Sequence, residues 1–272
     1  IKVLHNIVRD KQINVIHAHM FHALLVAVFV KILNSKTQII FTPHNVNLEQ
    51  KLREFICFIT KPLRKGDILF SKMENIRYYN KNVIIIPNGI KIPDNIKEKN
   101  PNKKKKYTFL CVGRLDVQKN YLEFIEKVVT KIPTEYNFSI KIAGKGPKEK
   151  EIKNAIIKNK LENKVVLLGL SNNVPSLLEE ADAFLMPSKW EGFPIALLEA
   201  GAYSLPVIVT PVGNIPSIIS EKTGCLSEIE SFADNMCKLM NKYEEAVKKG
   251  QALRIKIIND YSIESVVKQH EN

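Results

Sequence analysis

Apolar and polar positions along this chain follow two recurring rhythms. Val3, Leu4, Ile7 and Val8 fall three to four residues apart and predict an amphipathic helix over residues 1–11. Residues 13–17, Ile-Asn-Val-Ile-His, read as a strand, 20–33 as a helix and 37–42 as a strand. Residues 47–60 read as a helix that Pro62 stops, because proline has no N–H to continue the ladder. Short strands are expected near 68–70 and 83–86. Residues 91–106 are rich in Lys, Asn and Pro and poor in large apolar groups, so they read as a linker. The rhythm then restarts, with strands near 107–112, 138–142, 165–168, 183–186 and 206–209. Helices are expected near 119–131, 147–159, 174–179 and 194–202, and then at 231–248, 250–259 and 262–270. Strand and helix in alternation argue for an α/β fold with parallel, doubly wound sheets.

Composition narrows the class without naming it. At 272 residues, with 45% hydrophobic and 25% charged positions, two globular domains are expected. The longest strongly apolar run, residues 23–30, is too short to cross a bilayer. Cys57, Cys111, Cys225 and Cys237 show no C-x-x-C spacing and read as buried thiols of a reducing compartment. The net charge of +13 lies entirely in residues 1–106, which hold 20 Lys+Arg against 7 Asp+Glu. A basic half attracts anionic lipid headgroups or nucleic acid, or is simply a solubilising surface. The nucleic-acid reading rests on charge alone, because no RNA-binding or helix-turn-helix signature accompanies it.

Chemistry concentrates in the stretch Trp190-Glu191-Gly192-Phe193-Pro194-Ile195-Ala196-Leu197-Leu198-Glu199-Ala200. Pro194 suits the first position of a helix, and Gly192 permits a tight turn before it. A helix start offers free N–H groups and a positive dipole end to an anion. Glu191 at the loop and Glu199 within the helix then flank a ligand with a phosphate in the middle and hydroxyls at both ends, such as a nucleotide-sugar. The N–H groups of Gly192, Phe193 and Ile195 are expected to line the phosphate and sugar. Arg114 and Lys119 follow a predicted strand end, where doubly wound sheets bind ligands, and offer a planar fork and a point charge to a diphosphate. His17 and His19, two apart, point the same way if their strand continues. A metal site would take both, with His22 or His44 as a third ligand, but no acidic or Cys partner clusters nearby. His44 also follows a strand end and is a weak candidate for acceptor binding.

The stretch resembles the E-x7-E signature of retaining glycosyltransferases of the GT-B fold, and most of all glycosyltransferase family 4. Three further segments match in the family's order: Val112-Gly113-Arg114-Leu115 with Gln118-Lys119-Asn120, Ile86-Pro87-Asn88-Gly89-Ile90, and Ile142-Ala143-Gly144-Lys145-Gly146-Pro147. Lys145 departs from the Asp usual there. The resemblance implies two Rossmann-like doubly wound domains facing a cleft. Residues 1–93 would be an N-terminal acceptor-side domain, 94–106 a linker and 107–259 the donor-binding domain. Residues 260–272 would be a helix returning toward the first domain. The family pattern also places a strand, a Gly-rich loop and further strand–helix units before Ile1, so the first domain is expected to be truncated.

The resemblance implies that Gly113, Arg114 and Lys119 meet the donor diphosphate, Glu191 the sugar hydroxyls and Glu199 the ribose. His19 would stand beside the donor sugar. His19, Arg114, Lys119 and Glu191 are the catalytic candidates. No cofactor and no metal are expected, because Arg114, Lys119 and the helix start can offset the diphosphate charge. The expected activity is sugar transfer from a nucleotide-sugar, UDP-linked by family frequency, to a carbohydrate or lipid-linked saccharide in bacterial surface polysaccharide synthesis. The expected place is the cytoplasm, at the cytoplasmic face of the inner membrane, with no nucleic-acid partner. The alternative is a chain that binds nucleoside diphosphate without transfer.

Overall fold

The computed structural model describes residues 2–43, 51–70, 77–101 and 106–271. The chain divides into two compact units, Ile1–Pro87 and Asn88–Asn272. The division falls ahead of the linker expected at 94–106, because Ile90 pairs in parallel with Ser262 and so belongs with the second unit.

The first unit runs α1 (Lys2–Asp10), β1 (Val15–His19), α2 (Met20–Leu33), β2 (Gln38–Thr42), α3 (Lys51–Ile59), β3 (Gly66–Leu69) and β4 (Val83–Ile85). Its four strands are all parallel, in the order β1-β2-β3-β4. Ala18, Leu24, Ala27, Val28, Ile39, Phe41, Cys57, Leu69 and Tyr79 make its core. At the centre lies an ion pair with no exposed side-chain surface: Arg64 Nη1 stands 3.1 Å from Asp67 Oδ2. Arg64 Nη2 donates to the carbonyls of Cys57 (2.9 Å) and Tyr78 (2.8 Å), and the Asn80 N–H donates to Asp67 Oδ2 at 2.6 Å. The guanidinium also stacks over Phe41. One cation thereby ties α3, β2, β3 and the segment before β4 together.

The second unit runs β5 (Tyr107–Val112), α4 (Tyr121–Lys127), β6 (Phe138–Ala143), α5 (Glu149–Lys158), β7 (Val165–Gly169), α6 (Val174–Glu180), β8 (Ala183–Met186), α7 (Ile195–Ala202), β9 (Val207–Val209), α8 (Ile215–Ile218), β10 (Cys225–Leu226), α9 (Phe232–Asn241), α10 (Tyr243–Tyr261) and α11 (Ile263–Glu271). Its six parallel strands are ordered β10-β9-β8-β5-β6-β7. Alternate residues of β5 feed two cores, Tyr107, Phe109 and Cys111 on one face and Leu110 on the other. Burial on both faces is what a doubly wound sheet requires.

Three sequence readings change. The helix break expected near 249 falls at Lys242, and Gly250 sits inside α10. Gly250 is there for close approach, because a Cβ would strike the Ser204 carbonyl on the turn before β9. Strand β10 and helix α8 are too short to carry a periodic signal and were not foreseen. Of the four cysteines expected to be buried, Cys57 and Cys111 are, whereas Cys225 and Cys237 are partly exposed. His44 and most of the lysine run at 103–106 lie outside the described residues.

Removing one partner of a buried ion pair leaves an uncompensated charge, at about 3–5 kcal/mol. Arg64→Ala is therefore expected to lower the free energy of the first unit's unfolding by that amount, seen as a lower urea midpoint. An unchanged midpoint would show that Asp67 finds another partner or water.

Candidate functional site

The strand order reverses between β5 and β8: β6 and β7 lie on one side, β9 and β10 on the other. At such a switch point the loops leaving the two central strands diverge and open a crevice at their C-terminal ends. The loops in question are residues 113–120 and 187–194, and they carry most of the residues the sequence singled out.

The first loop is a tight turn. The Leu115 N–H donates to the Lys145 carbonyl (3.0 Å), and the Lys119 N–H donates to Asp116 Oδ1 (3.1 Å). Asn120 closes it in the left-handed region, φ +59, which asparagine tolerates, and starts α4. Gly144 and Gly146 press on this loop, since a Cβ at either would strike the Gly113 or Leu115 carbonyl. The Gly-Lys-Gly-Pro turn is thus a structural buttress for Arg114.

The two loops are joined by the Lys119–Glu191 pair. Lys119 Nζ lies 2.6 Å from Glu191 Oε1, with side-chain exposures of 16% and 5%. Ser188 Oγ donates to the same oxygen at 2.6 Å, and Gln118 Nε2 donates to the Trp190 carbonyl at 3.0 Å and reaches Glu191 Oε2 at 3.4 Å. The Lys189 N–H donates to the Gln118 carbonyl, and Thr210 Oγ1 to the Ser188 carbonyl. Gly213, at φ +55, lets the loop after β9 close on the Glu191 backbone.

Glu191 lies in the loop as expected of it, but buried, and the structure adds a pairing with Lys119 that the sequence did not indicate. Ser188, Gln118, Thr210 and Gly213 were missed. Gln118 stands inside a quoted motif and Ser188 two residues before another, whereas Thr210 and Gly213 carry no local signal. Pro194 is not the first helical residue but the cap, with φ −81 and ψ 86. It forms an inverse γ-turn in which the Ile195 N–H donates to the Phe193 carbonyl at 3.1 Å, so that expected anion donor is already engaged. Phe193 packs its ring 5.9 Å from that of Tyr261.

Arg114 is exposed, with Nε 3.9 Å from Asp116 Oδ2. Beside it a cavity of about 270 Å³ opens across the ends of β5, β6 and β7, lined by Gly113, Arg114, Lys145, Leu170 and Ser171 among others. Glu199 is half-buried in α7, and burial pushes its carboxyl above the usual glutamate range. Its carboxylate has no hydrogen-bond or ion-pair partner among the described residues. Gly201, the last residue but one of α7, packs directly on Leu253 and Ile257 of α10.

His19 belongs to the first unit, at the C-terminal end of β1. Its ring lies 4.2 Å from that of His17, as expected of alternate residues on one strand face. His17 Nε2 is 2.8 Å from Thr42 Oγ1 on β2. Met20, next to His19, takes φ +70, a strained value that marks a sharp strand-to-helix turn. Among the described residues no three His, Cys, Asp or Glu side chains gather as a metal-holding group. Asp182 is used internally, its carboxylate accepting from the Thr108 N–H.

Residues 93–255 match the sequence profile of the family described as Glycosyl transferases group 1. The chain is 32% identical over 198 residues to the UDP-Gal:alpha-D-GlcNAc-diphosphoundecaprenol alpha-1,3-galactosyltransferase of Escherichia coli, covering 66% of this chain and 51% of that protein. It is 29% identical over 142 residues to the lipopolysaccharide core biosynthesis mannosyltransferase LpsB of Rhizobium meliloti, covering 48% and 40%. The chain thus spans about half the length of the curated relatives it matches. The crystal structure of Anabaena Alr3699/HepE in complex with UDP and glucose superposes with a TM-score of 0.82 at 16% identity, over 95% of this chain and 77% of that one. That likeness establishes the fold.

A double-mutant cycle on Lys119→Ala and Glu191→Ala, read by chemical denaturation, is expected to give a coupling above the roughly 0.2–1 kcal/mol typical of exposed pairs. A coupling within that range would mean that water screens the pair.

Proposed function

The chain belongs to the glycosyl transferases group 1 family and has the GT-B fold, and from that premise we propose that it is part of a retaining, family 4 glycosyltransferase using a UDP-sugar. The acceptor would be a saccharide or lipid-linked saccharide of a bacterial surface polysaccharide. The observation that carries this reading is the network at the switch point, where Lys119, Glu191, Ser188 and Gln118 join the two loops and Arg114 extends beside the cavity at the ends of β5 to β7.

In this reading the nucleoside enters that cavity and the diphosphate lies against Arg114 and Lys119. Two fixed cations stabilise the charge that develops as the sugar–phosphate bond breaks. Glu191, held by Lys119 and Ser188, orients the sugar hydroxyls, and the pairing fixes both ends before the ligand arrives. Glu199 accepts from the ribose hydroxyls. The acceptor hydroxyl attacks from the face the diphosphate leaves, and the departing phosphate takes its proton. His19 would assist at the sugar from the first unit. No cofactor or metal is invoked.

The first unit would meet an anionic membrane at the cytoplasmic face. Supporting this are its 13 Lys+Arg against 5 Asp+Glu over residues 1–87 and the exposed apolar row Leu52, Phe55, Phe58 and Ile59 on α3 beside Lys51 and Lys61. Among the described residues no helix is long and apolar enough to cross a membrane. The proposed attachment is therefore interfacial.

Calorimetry with UDP tests the site. Arg114→Ala, Lys119→Ala and Glu199→Ala are each expected to weaken binding by roughly 1.5–3 kcal/mol, the cost of one charged hydrogen bond. Because the ionised Glu199 is the acceptor and burial raises its pKa, binding should fall as pH drops through that raised range. Glu199→Gln should lack this component, while the ligand's own titration is common to both proteins. Undiminished binding by all three alanine variants would sink the assignment.

Co-sedimentation tests the membrane surface. Each basic residue near an anionic bilayer contributes about 1 kcal/mol, screened over about 8 Å at physiological salt. Binding should require anionic lipid, fall with salt and drop in Phe55→Ser/Phe58→Ser. Equal binding to neutral vesicles would remove the claim.

A further inference from the structure

A second cavity, of about 350 Å³, opens at the opposite edge of the second sheet. Pro206 and Val207 at the start of β9 and Gly224 and Cys225 at the start of β10 form its floor, whereas Lys119 and Glu191 lie beyond the C-terminal strand ends. Ile208, Leu239 and Ala246 complete an apolar wall. Lys238, Lys242 and Lys249 line the same cavity, the first two exposed and the third half-buried. Glu245 also lines it and offsets one charge, with Oε1 3.6 Å from Lys249 Nζ. Lys238 and Lys242 have no ion pair among the described residues. Cys225 lines the cavity with these lysines, and burial pushes its thiol up while Lys249 and Lys238 oppose that shift.

An apolar recess gains by taking in methylenes that would otherwise contact water. Three cations against one carboxylate leave an excess of two positive charges, which matches a phosphate monoester dianion. We propose that this cavity binds a single-chain alkyl phosphate, its tail against Val207, Ile208, Leu239 and Ala246 and its phosphate against Lys238, Lys242 and Lys249. Such a site would hold a phosphorylated lipid at the edge of the unit remote from the nucleotide crevice.

The test titrates the 272-residue chain with dodecyl phosphate below its micelle concentration. One-site binding is expected, with slower modification of Cys225 by a thiol reagent when the ligand is present. Lys238→Glu/Lys242→Glu, both on the surface, should weaken binding by about tenfold or more, because charge-assisted contacts to the phosphate are lost. Ala246→Phe should block the tail, and UDP binding should be unchanged in both variants. Equal affinity in the charge-reversed variant, or no protection of Cys225, would overturn the proposal. So would equal binding of inorganic phosphate, which would mean a surface ion site only, or of dodecyl maltoside, which would mean detergent uptake only.

Discussion

The reversal of strand order between β5 and β8 is the constraint on which the candidate site depends. Parallel strands send their loops out at the same edge, and where the order reverses, two neighbouring loops turn away from each other. Here the gap is spanned by side chains. Lys119 from one loop and Glu191 from the other meet at 2.6 Å, with Ser188 and Gln118 completing the carboxylate's partners. Both charges are largely withdrawn from water, and each offsets the other's desolvation. The crevice is therefore set before any ligand enters, which lowers the cost of ordering it.

Glycines make that closeness possible. Gly144 and Gly146 let the loop after β6 lie on the Arg114 turn, and Gly213 lets the loop after β9 lie on Glu191. In each case a single Cβ would occupy the place of a carbonyl. Gly201 and Gly250 do the same for α7 and the turn before β9 against α10, so that the helix carrying Glu199 is seated on α10. The site's rigidity thus extends from the loops into the packing of α7.

The two units solve the problem of a parallel sheet differently. The second buries its central strands on both faces under apolar side chains. The first has an edge strand, β1, with only Ala18 buried, and places a fully buried Arg64–Asp67 pair among its elements. Exposed apolar residues on α2 and α3 accompany its positive charge. The proposed interfacial attachment rests on this combination of basic and apolar exposure.

Much of this was legible in the chain. The strand–helix rhythm gave the second unit's main strands nearly to the residue, because period-two and period-3.6 burial leave marks in local sequence. The spacing of Glu191 and Glu199, and the order of the Gly113-Arg114 and Lys119 segments, pointed to the two loops that the structure brings together at the switch point. What sequence could not decide was which polar groups face one another. Lys119 and Glu191 are 72 residues apart, and only the switch point brings them into contact. The sequence therefore treated Glu191 and Lys119 as separate ligand contacts, with no pairing between them. The break at Lys242, the engaged Ile195 N–H and the partial exposure of Cys225 and Cys237 have the same origin. Each is set by a neighbour distant in sequence or by a backbone angle that no local pattern encodes. Local periodicity fixes elements, whereas the pairing of charges and the closeness of loops are properties of the packed sheet.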